Sequence, residues 1–472
     1  MKTSPILLRS CLALGALTCA ATTSAQIGGE AGTTHFVSSI ADLQSRINGA
    51  GPGDVIIVRN GVYTTSAAIT VNRRGTADRP IKIFAQSLGG VEITGTHGFT
   101  VRSPATYVEI WGFLLTHVSG RNSIASGATH IRFTRNIFEN TGSGAYLTVG
   151  GHDAEVDRNE FRNKSTLGNM IDVRGSGSQI AQRVWIHHNY FHDFVSPGGN
   201  GAETIRFGLS GLSLSNGFGL IEHNLFVRCT GENELISNKS SANTYRYNTI
   251  VDSPGGELTL RHGNDCLVYG NYFRNTAGMR IFGDRHQVFS NYLETSTGIN
   301  IGNGDGEVAD GAPLTSHDRP DNCVITFNTQ VNNTRNYFMQ GRTGGLGATG
   351  TVFANNIIQG GGSAAGLSGV YTGGVWEGNI IWQTTSAGAM PAGSYDQVDP
   401  LLAPQANGVF RPQPGSPAID SAVGDYPAVV VDLDGQTRPA PKDKGADELS
   451  PGPPAARFLT PEILLDLIHS WL

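Results

Sequence analysis

The sequence predicts an all-β protein: a right-handed parallel β-helix, or solenoid, closed at its N-terminal end by a short capping helix. Three observations carry that prediction. A short alternating strand, an Asn and a second apolar strand recur along the chain, as in HIRFTRNIFENT (from His130), VWIHHNYFHDF (Val184), CLVYGNYFRNT (Cys266) and VWEGNIIWQT (Val375). The Asn stands at 136, 159, 189, 224, 248, 271, 291, 328, 356 and 379, and the steps 136 to 159, 248 to 271 and 356 to 379 are each 23 residues. Finally, 63 glycines with only 15% charged residues suit many tight turns rather than long, salt-bridged helices.

A period of roughly 20–25 residues on short strands is that of a solenoid, and the leucine scaffold of a leucine-rich repeat is missing. The recurrent Asn suits a tight turn, because Asn tolerates the left-handed conformation; stacked coil on coil it can also form an amide ladder. Independent hairpins of a sandwich would not keep one Asn at one place. The longer steps, 189 to 224 and 291 to 328, mark loops inserted between coils, and such loops often line binding sites.

At the N-terminus, Lys2 and Arg9, the apolar run Cys11 to Ala21 and the small residues Thr23-Ser24-Ala25 read as a secretory signal, residues 1–25. A secreted or periplasmic protein is expected, and the run is too short for a membrane span. Ser39 begins a helix with Ile40, Leu43 and Ile47 at helical spacing, which covers the open end of the core. Residues 26–449 form the β-helix domain, its end after Trp382 being Pro- and Gly-rich and expected as irregular terminal coils. Residues 450–472 are a linker and a helix that Thr460 caps. Pro461 sits in its first turn, and Ile463, Leu464, Leu467, Ile468 and Trp471 form one apolar face for packing. Beyond the signal, Cys229, Cys266 and Cys323 are odd in number and are expected as buried free thiols.

A net charge of −6 argues against a general nucleic-acid coat. An acidic partner then needs a local basic patch, and one window holds Lys239, Arg246, Arg261, His262, Arg274, Arg280, Arg285 and His286. In the same window GENELISNK places Glu232 and Glu234 just before Lys239, and LTLRHGN carries Arg261 and His262 about one repeat later. Lys239 lies nine residues before Asn248 and Arg261 ten before Asn271, so the two are expected side by side on adjacent coils. Glu232 and Glu234, two apart on one strand, would share a face and repel unless a hard, oxygen-seeking ion such as Ca²⁺ lies between them. Asn200, in GGNGAETIRFG with Glu203 behind it, can add an amide oxygen. The loop NGDGEVADG (303–311) is a weaker place for a second ion, and an ordinary turn is its plainer reading.

SNKS, NTYRYNT, LTLRHGN and the later GN-x-F resemble the alginate lyases and chondroitinase B of polysaccharide lyase family six, over most of the β-helix and most sharply from Asn200 to Asn291. The resemblance implies Lys239 as base, Arg261 as partner acid or charge stabiliser, and Asn200, Glu232 and Glu234 as Ca²⁺ ligands. His262 and a later arginine would touch substrate, Arg280 in preference to Arg285; Arg206 and Tyr245 are further substrate-binding candidates. The implied reaction is β-elimination on an acidic polysaccharide, alginate in preference to dermatan sulfate. Two other classes compete. A pectin-type hydrolase needs carboxylates closing on one glycosidic oxygen. A non-catalytic carbohydrate-binding solenoid would use aromatic platforms such as Tyr245, Tyr247 and Tyr272.

Overall fold

The computed structural model describes residues 32–450 and 452–470. The signal segment and Trp471 lie outside them. The chain is a parallel β-helix. One 14-stranded parallel sheet runs from Thr34–Val37 to Val375–Glu377, and two further parallel ladders join through the long strands Thr249–His262 and Tyr272–Ile281. A representative coil runs through Leu220–Glu222, Leu225–Cys229 and Ile236–Lys239 before the next begins at Thr244–Arg246. Within each strand alternate residues point inward. Ile221, Tyr245, Val268 and Val288 stack in register on the first sheet, all buried. On the second, Phe138, Phe161, Phe191 and Phe226 stack face to face at 4.4, 4.8 and 4.8 Å, the spacing of the coils themselves.

The ten asparagines form the expected ladder. Each of Asn136, Asn159, Asn189, Asn224 and Asn248 donates its Nδ2 to the Oδ1 of the next, at 3.0–3.1 Å. The same pattern continues to Asn379. Every rung also accepts a backbone N–H from the coil before, as Asn271 Oδ1 does from Asn248 N at 3.1 Å. All ten are fully buried, where an unmatched amide would cost about 1–3 kcal/mol.

The expected reason for the turn needs correction. The left-handed residue is not the ladder Asn but its predecessor: Arg135, Arg158, His188, His223, Tyr247, Ser290, Phe327 and Asn355 all have φ near +50°. Only Gly270 and Gly378 fill that place without strain. The Asn then serves the ladder, and its hydrogen bonds hold the preceding residue in a conformation costing roughly 1–2 kcal/mol.

The first helix, α1 (Ile40–Gly49), forms as expected: Ser39 Oγ accepts from Asp42 N at 3.1 Å, and Leu43 and Ile47 are buried against the first coils. The end of the domain does not continue as terminal coils. After Tyr395–Gln397 the chain folds back along the outside of the solenoid. Val409, Leu433 and Ala446 pack on Tyr272, Tyr292 and Val331, and buried Arg438 pairs with Glu448. The last helix, α2 (Pro461–His469), packs Leu464 and Ile468 on Tyr190, Leu225 and Val227 of the solenoid. Thr460 precedes it but makes no side-chain capping bond. Cys229, Cys266 and Cys323 are free and buried, and burial pushes each thiol up to about 12.

Candidate active site

The outer face of the third sheet, the ladder that contains Ile236–Lys239, carries the chemistry. Asp172, Arg206, Ser237, Thr259, Arg280 and Asn300 stand in one register row on successive coils, all pointing away from the core. The next outward positions belong to Lys239 and Arg261. They lie on adjacent coils, as expected, but not opposite each other: a bulge between Asn238 and Lys239 sets Lys239 opposite His262. Beneath the bulge Asn238 points inward. Its Nδ2 donates to the His262 carbonyl at 2.9 Å and to the Ser240 carbonyl at 2.8 Å, while its Oδ1 accepts from Asn243 and from the Tyr245 hydroxyl at 2.9 Å. That buried amide network fixes the offset.

The carboxylates come from the corner before this sheet, not from a strand. Glu232 Oε2 accepts the backbone N–H groups of Gly201 at 2.6 Å and Ala202 at 2.8 Å. Glu234 accepts from Ser237 Oγ at 2.5 Å, from Arg280 Nη2 at 2.6 Å and from Arg261. Glu203, which the sequence placed only behind Asn200 and gave no role, belongs to the site. It is 1% exposed, accepts from Asn169 Nδ2 at 2.7 Å and pairs with Lys239 Nζ at 3.1 Å. Oxygens of Glu203, Glu232 and Glu234 lie within 4.8 Å of one another. A signal for Glu203 was present: Ile205 and Ile236 are in register, and each follows a glutamate by two residues.

The electrostatics follow from this packing. Burial and the neighbouring charges of Glu203 and Glu234 raise the Glu232 carboxyl above its ordinary range, although two backbone N–H groups pull the other way. Burial also works against Glu234, yet Arg261, Ser237 and Arg280 hold it below the ordinary range. Half-buried Glu257, an ion-pair partner of Arg280 at 3.0 Å, is raised by desolvation. Lys239, Arg261 and Arg280 thus already offset most of the charge of these acids. Repulsion between Glu232 and Glu234 therefore does not by itself demand a metal. His262 is 2% exposed and is lowered to about 4 by burial and by Arg261, His317 and Lys239. It lies against His317, with ring centroids 6.0 Å apart.

Other expected residues fall elsewhere. Asn200 is exposed, on a loop that borders a cavity of about 460 Å³ shared with Glu232, Glu234, Arg261 and Arg280. Arg206 is clamped by both oxygens of Asp172 at 3.0 Å, a carboxylate it shares with Arg174. Tyr245 is no platform: it takes an inward position of the first sheet and is fully buried. Tyr247 and Tyr272 are buried as well. Arg285 is the left-handed corner residue after the third sheet and pairs with Asp265 at 2.8 Å. Arg246 and Arg274 pair with Glu222 and Glu294 on the other two sheets, and His286 is buried. The basic window is therefore wound around the whole coil, and only Lys239, Arg261 and Arg280 converge. In the loop 303–311, Asp305 pairs with Arg342 and Glu307 with Arg319. Among the described residues the other set of three metal-type ligands is Glu155, Asp157 and His187, where Arg132 and Arg158 already hold Asp157.

The chondroitinase B family profile matches residues 37–344. No curated protein matches the chain. Among solved structures, the family 6 alginate lyase AlyGC is similar at 26% identity over 81% of this chain and 56% of that one, with a TM-score of 0.73. The chain therefore spans little more than half the length of AlyGC. A mannuronic-acid-specific family 6 lyase from human gut microbiota is 24% identical over 78% of this chain and 91% of that one, with a TM-score of 0.67. A family 6 alginate lyase in complex with a trisaccharide is 19% identical over 82% and 92%, with a TM-score of 0.64. The last two likenesses are those of fold.

Proposed function

The chain belongs to the chondroitinase B family of polysaccharide lyases, and from that premise we propose that it depolymerises alginate by β-elimination at the Lys239–Arg261 site, outside the cytoplasm. The observation that carries this reading is one cluster in which Lys239 pairs with Glu203 and Arg261 and Arg280 pair with Glu234, its carboxylates Glu203, Glu232 and Glu234 close together and Glu232, Glu234, Arg261 and Arg280 lining a cavity. Leader-like residues 1–25 support the location; among the described residues no helix is long and apolar enough to cross a membrane.

In a 4-linked uronate the C5 proton is acidic only once the adjacent carboxylate is neutralised, because abstraction pushes negative charge onto that group. Arg261 and Arg280 present guanidinium forks suited to it. Lys239 Nζ, which rests as an ammonium paired with Glu203, first loses a proton to solvent and then takes the C5 proton, and Glu203 holds the amine in place and balances the ammonium that forms again. The C5–H electron pair becomes the C4=C5 double bond, the C4–O bond breaks, and the departing oxygen can take the proton Lys239 has gained. Arg261 is cast as stabiliser rather than acid, since a guanidinium does not give up its proton in a protein.

The donor set also suits a hard divalent cation. Glu232 and Glu234 would hold Ca²⁺ together with Glu203 and the Asn200 amide oxygen, and Glu232 Oε1 carries no hydrogen bond among the described residues. When bound, the ion helps neutralise the substrate carboxylate. Chelation is expected to lower turnover and Ca²⁺ to restore it. Calorimetry should register Ca²⁺ binding that Glu232→Ala weakens. Full activity in chelator with no ion found by metal analysis would remove the cation from this reading.

The broader test is a panel of polymannuronate, polyguluronate, alternating alginate and dermatan sulfate, followed by ultraviolet absorbance of the unsaturated product. Alginate is expected to give the fastest rise. Dermatan sulfate cleavage alone would move the chain to the chondroitinase side of the family. Cleavage without a chromophore would indicate hydrolysis. A purely binding solenoid is disfavoured because Tyr245, Tyr247 and Tyr272, its would-be platforms, are all buried.

A further inference from the structure

We propose that Arg335 forms a distal subsite for a second uronate carboxylate, about three coils beyond Arg261 on the C-terminal side of the site; this rests on the polyuronate reading above. Three cavities meet end to end along the outer face of the third sheet. The catalytic cavity shares Arg280 with one of about 240 Å³. That one shares Gln340 and Gly341 with a further cavity of about 530 Å³. The floor follows one register row, Arg280, Asn300, Phe338 and Gly366. Three steps of about 4.8 Å put the far cavity on the order of 15 Å from Arg261. Only an oligomer, not a single sugar, reaches across that length.

Arg335 is the one charged residue lining the far cavity. The other arginines on this groove are matched: Arg261 and Arg280 to Glu234, Arg342 to Asp305. Arg335 makes no ion pair among the described residues. It is exposed, and its guanidinium lies 5.0 Å over the ring of Phe338. Stacking on an aromatic face leaves the N–H groups at the edge of the guanidinium plane free, the arrangement that takes a carboxylate with two parallel bonds. Ser363, Ser368 and Gln340 around it supply hydroxyl and amide partners for sugar hydroxyls. At the end of the row Gly366 keeps the groove open, since a Cβ there would meet nothing within 4 Å.

The test is affinity for mannuronate oligomers of increasing length, measured by calorimetry in a Lys239→Arg background so that the ligand is not consumed. In that background affinity should climb again once the oligomer reaches the far cavity. Arg335→Ala should remove that last gain, about 10- to 100-fold, the worth of a charge-assisted hydrogen bond. Arg335→Lys should restore part of it. Gly366→Leu, which fills the groove without touching the charge, should remove it too. The subsite is overturned if Arg335→Ala binds every length as its parent does, or weakens all lengths equally, as a merely structural stacking role would. Measurable affinity that depends on Arg335, in a Lys239 enzyme that eliminates no polyuronate, would sink the lyase reading and leave the subsite standing. No binding at any length overturns both.

Discussion

Lys239→Arg is expected to lower elimination by a factor of about 10²–10⁴, the range a positioned general base contributes, while the chain stays folded. The charge-conserving change is the informative one. Lys239 is not a solvated surface lysine: it pairs at 3.1 Å with a fully buried Glu203. Lys239→Ala would leave that carboxylate with Asn169 as its remaining side-chain partner, and an uncompensated buried charge is costly. Arginine keeps the cation beside Glu203 yet cannot accept the C5 proton, because it is always protonated. Turnover near wild type in Lys239→Arg, with an unchanged circular dichroism spectrum and melting temperature, would show that Lys239 is not the base.

Arg261→Ala should reduce kcat by about 10² or more with a smaller change in KM, because the charge it answers develops on the way to the transition state. Glu234 keeps Arg280 and Ser237 as donors in that variant, so the fold is expected to survive. Arg261→Lys should recover only part of the rate, since an ammonium lacks the planar fork. The structure separates this residue from its neighbour: Arg280 is tied to both Glu234 and Glu257, so Arg280→Ala should act more on KM. Arg246 and Arg274 face other sheets, and their removal should leave the kinetics alone at any salt concentration. An Arg261→Ala enzyme with normal turnover and only weaker, salt-dependent binding would demote Arg261 to a steering charge.

The site was legible to the extent that it lies close in sequence. Glu232, Glu234, Lys239 and Arg261 fall within about one coil of chain, so a period near 23 residues is enough to bring them together. Residues whose roles depend on a partner several coils away were not legible. Arg206 looks like a free cation until Asp172, 34 residues earlier, is seen to hold it. Glu203 looks like background until the register of Ile205 with Ile236 stacks it beside Glu234. Tyr245 was misread for a different reason. Alternation along a three-residue strand does not say which parity is inward, and here the tyrosine takes the inward one.

By itself, the sequence determined the repeat, the amide ladder, both helices and the free thiols. Each of these follows from spacing along the chain or from the chemistry of single residues. Tertiary structure alone decided which residues face the groove and which charges are already matched. It also decided where the chain beyond Gln397 goes. The bulge before Lys239 is the sharpest case. One extra residue in one strand, held by the buried Asn238 amide, offsets Lys239 from Arg261 and sends them to different carboxylates, Glu203 and Glu234. Register is a relation between coils, set by hydrogen bonds and packing across the stack, and no count of positions along one coil contains it.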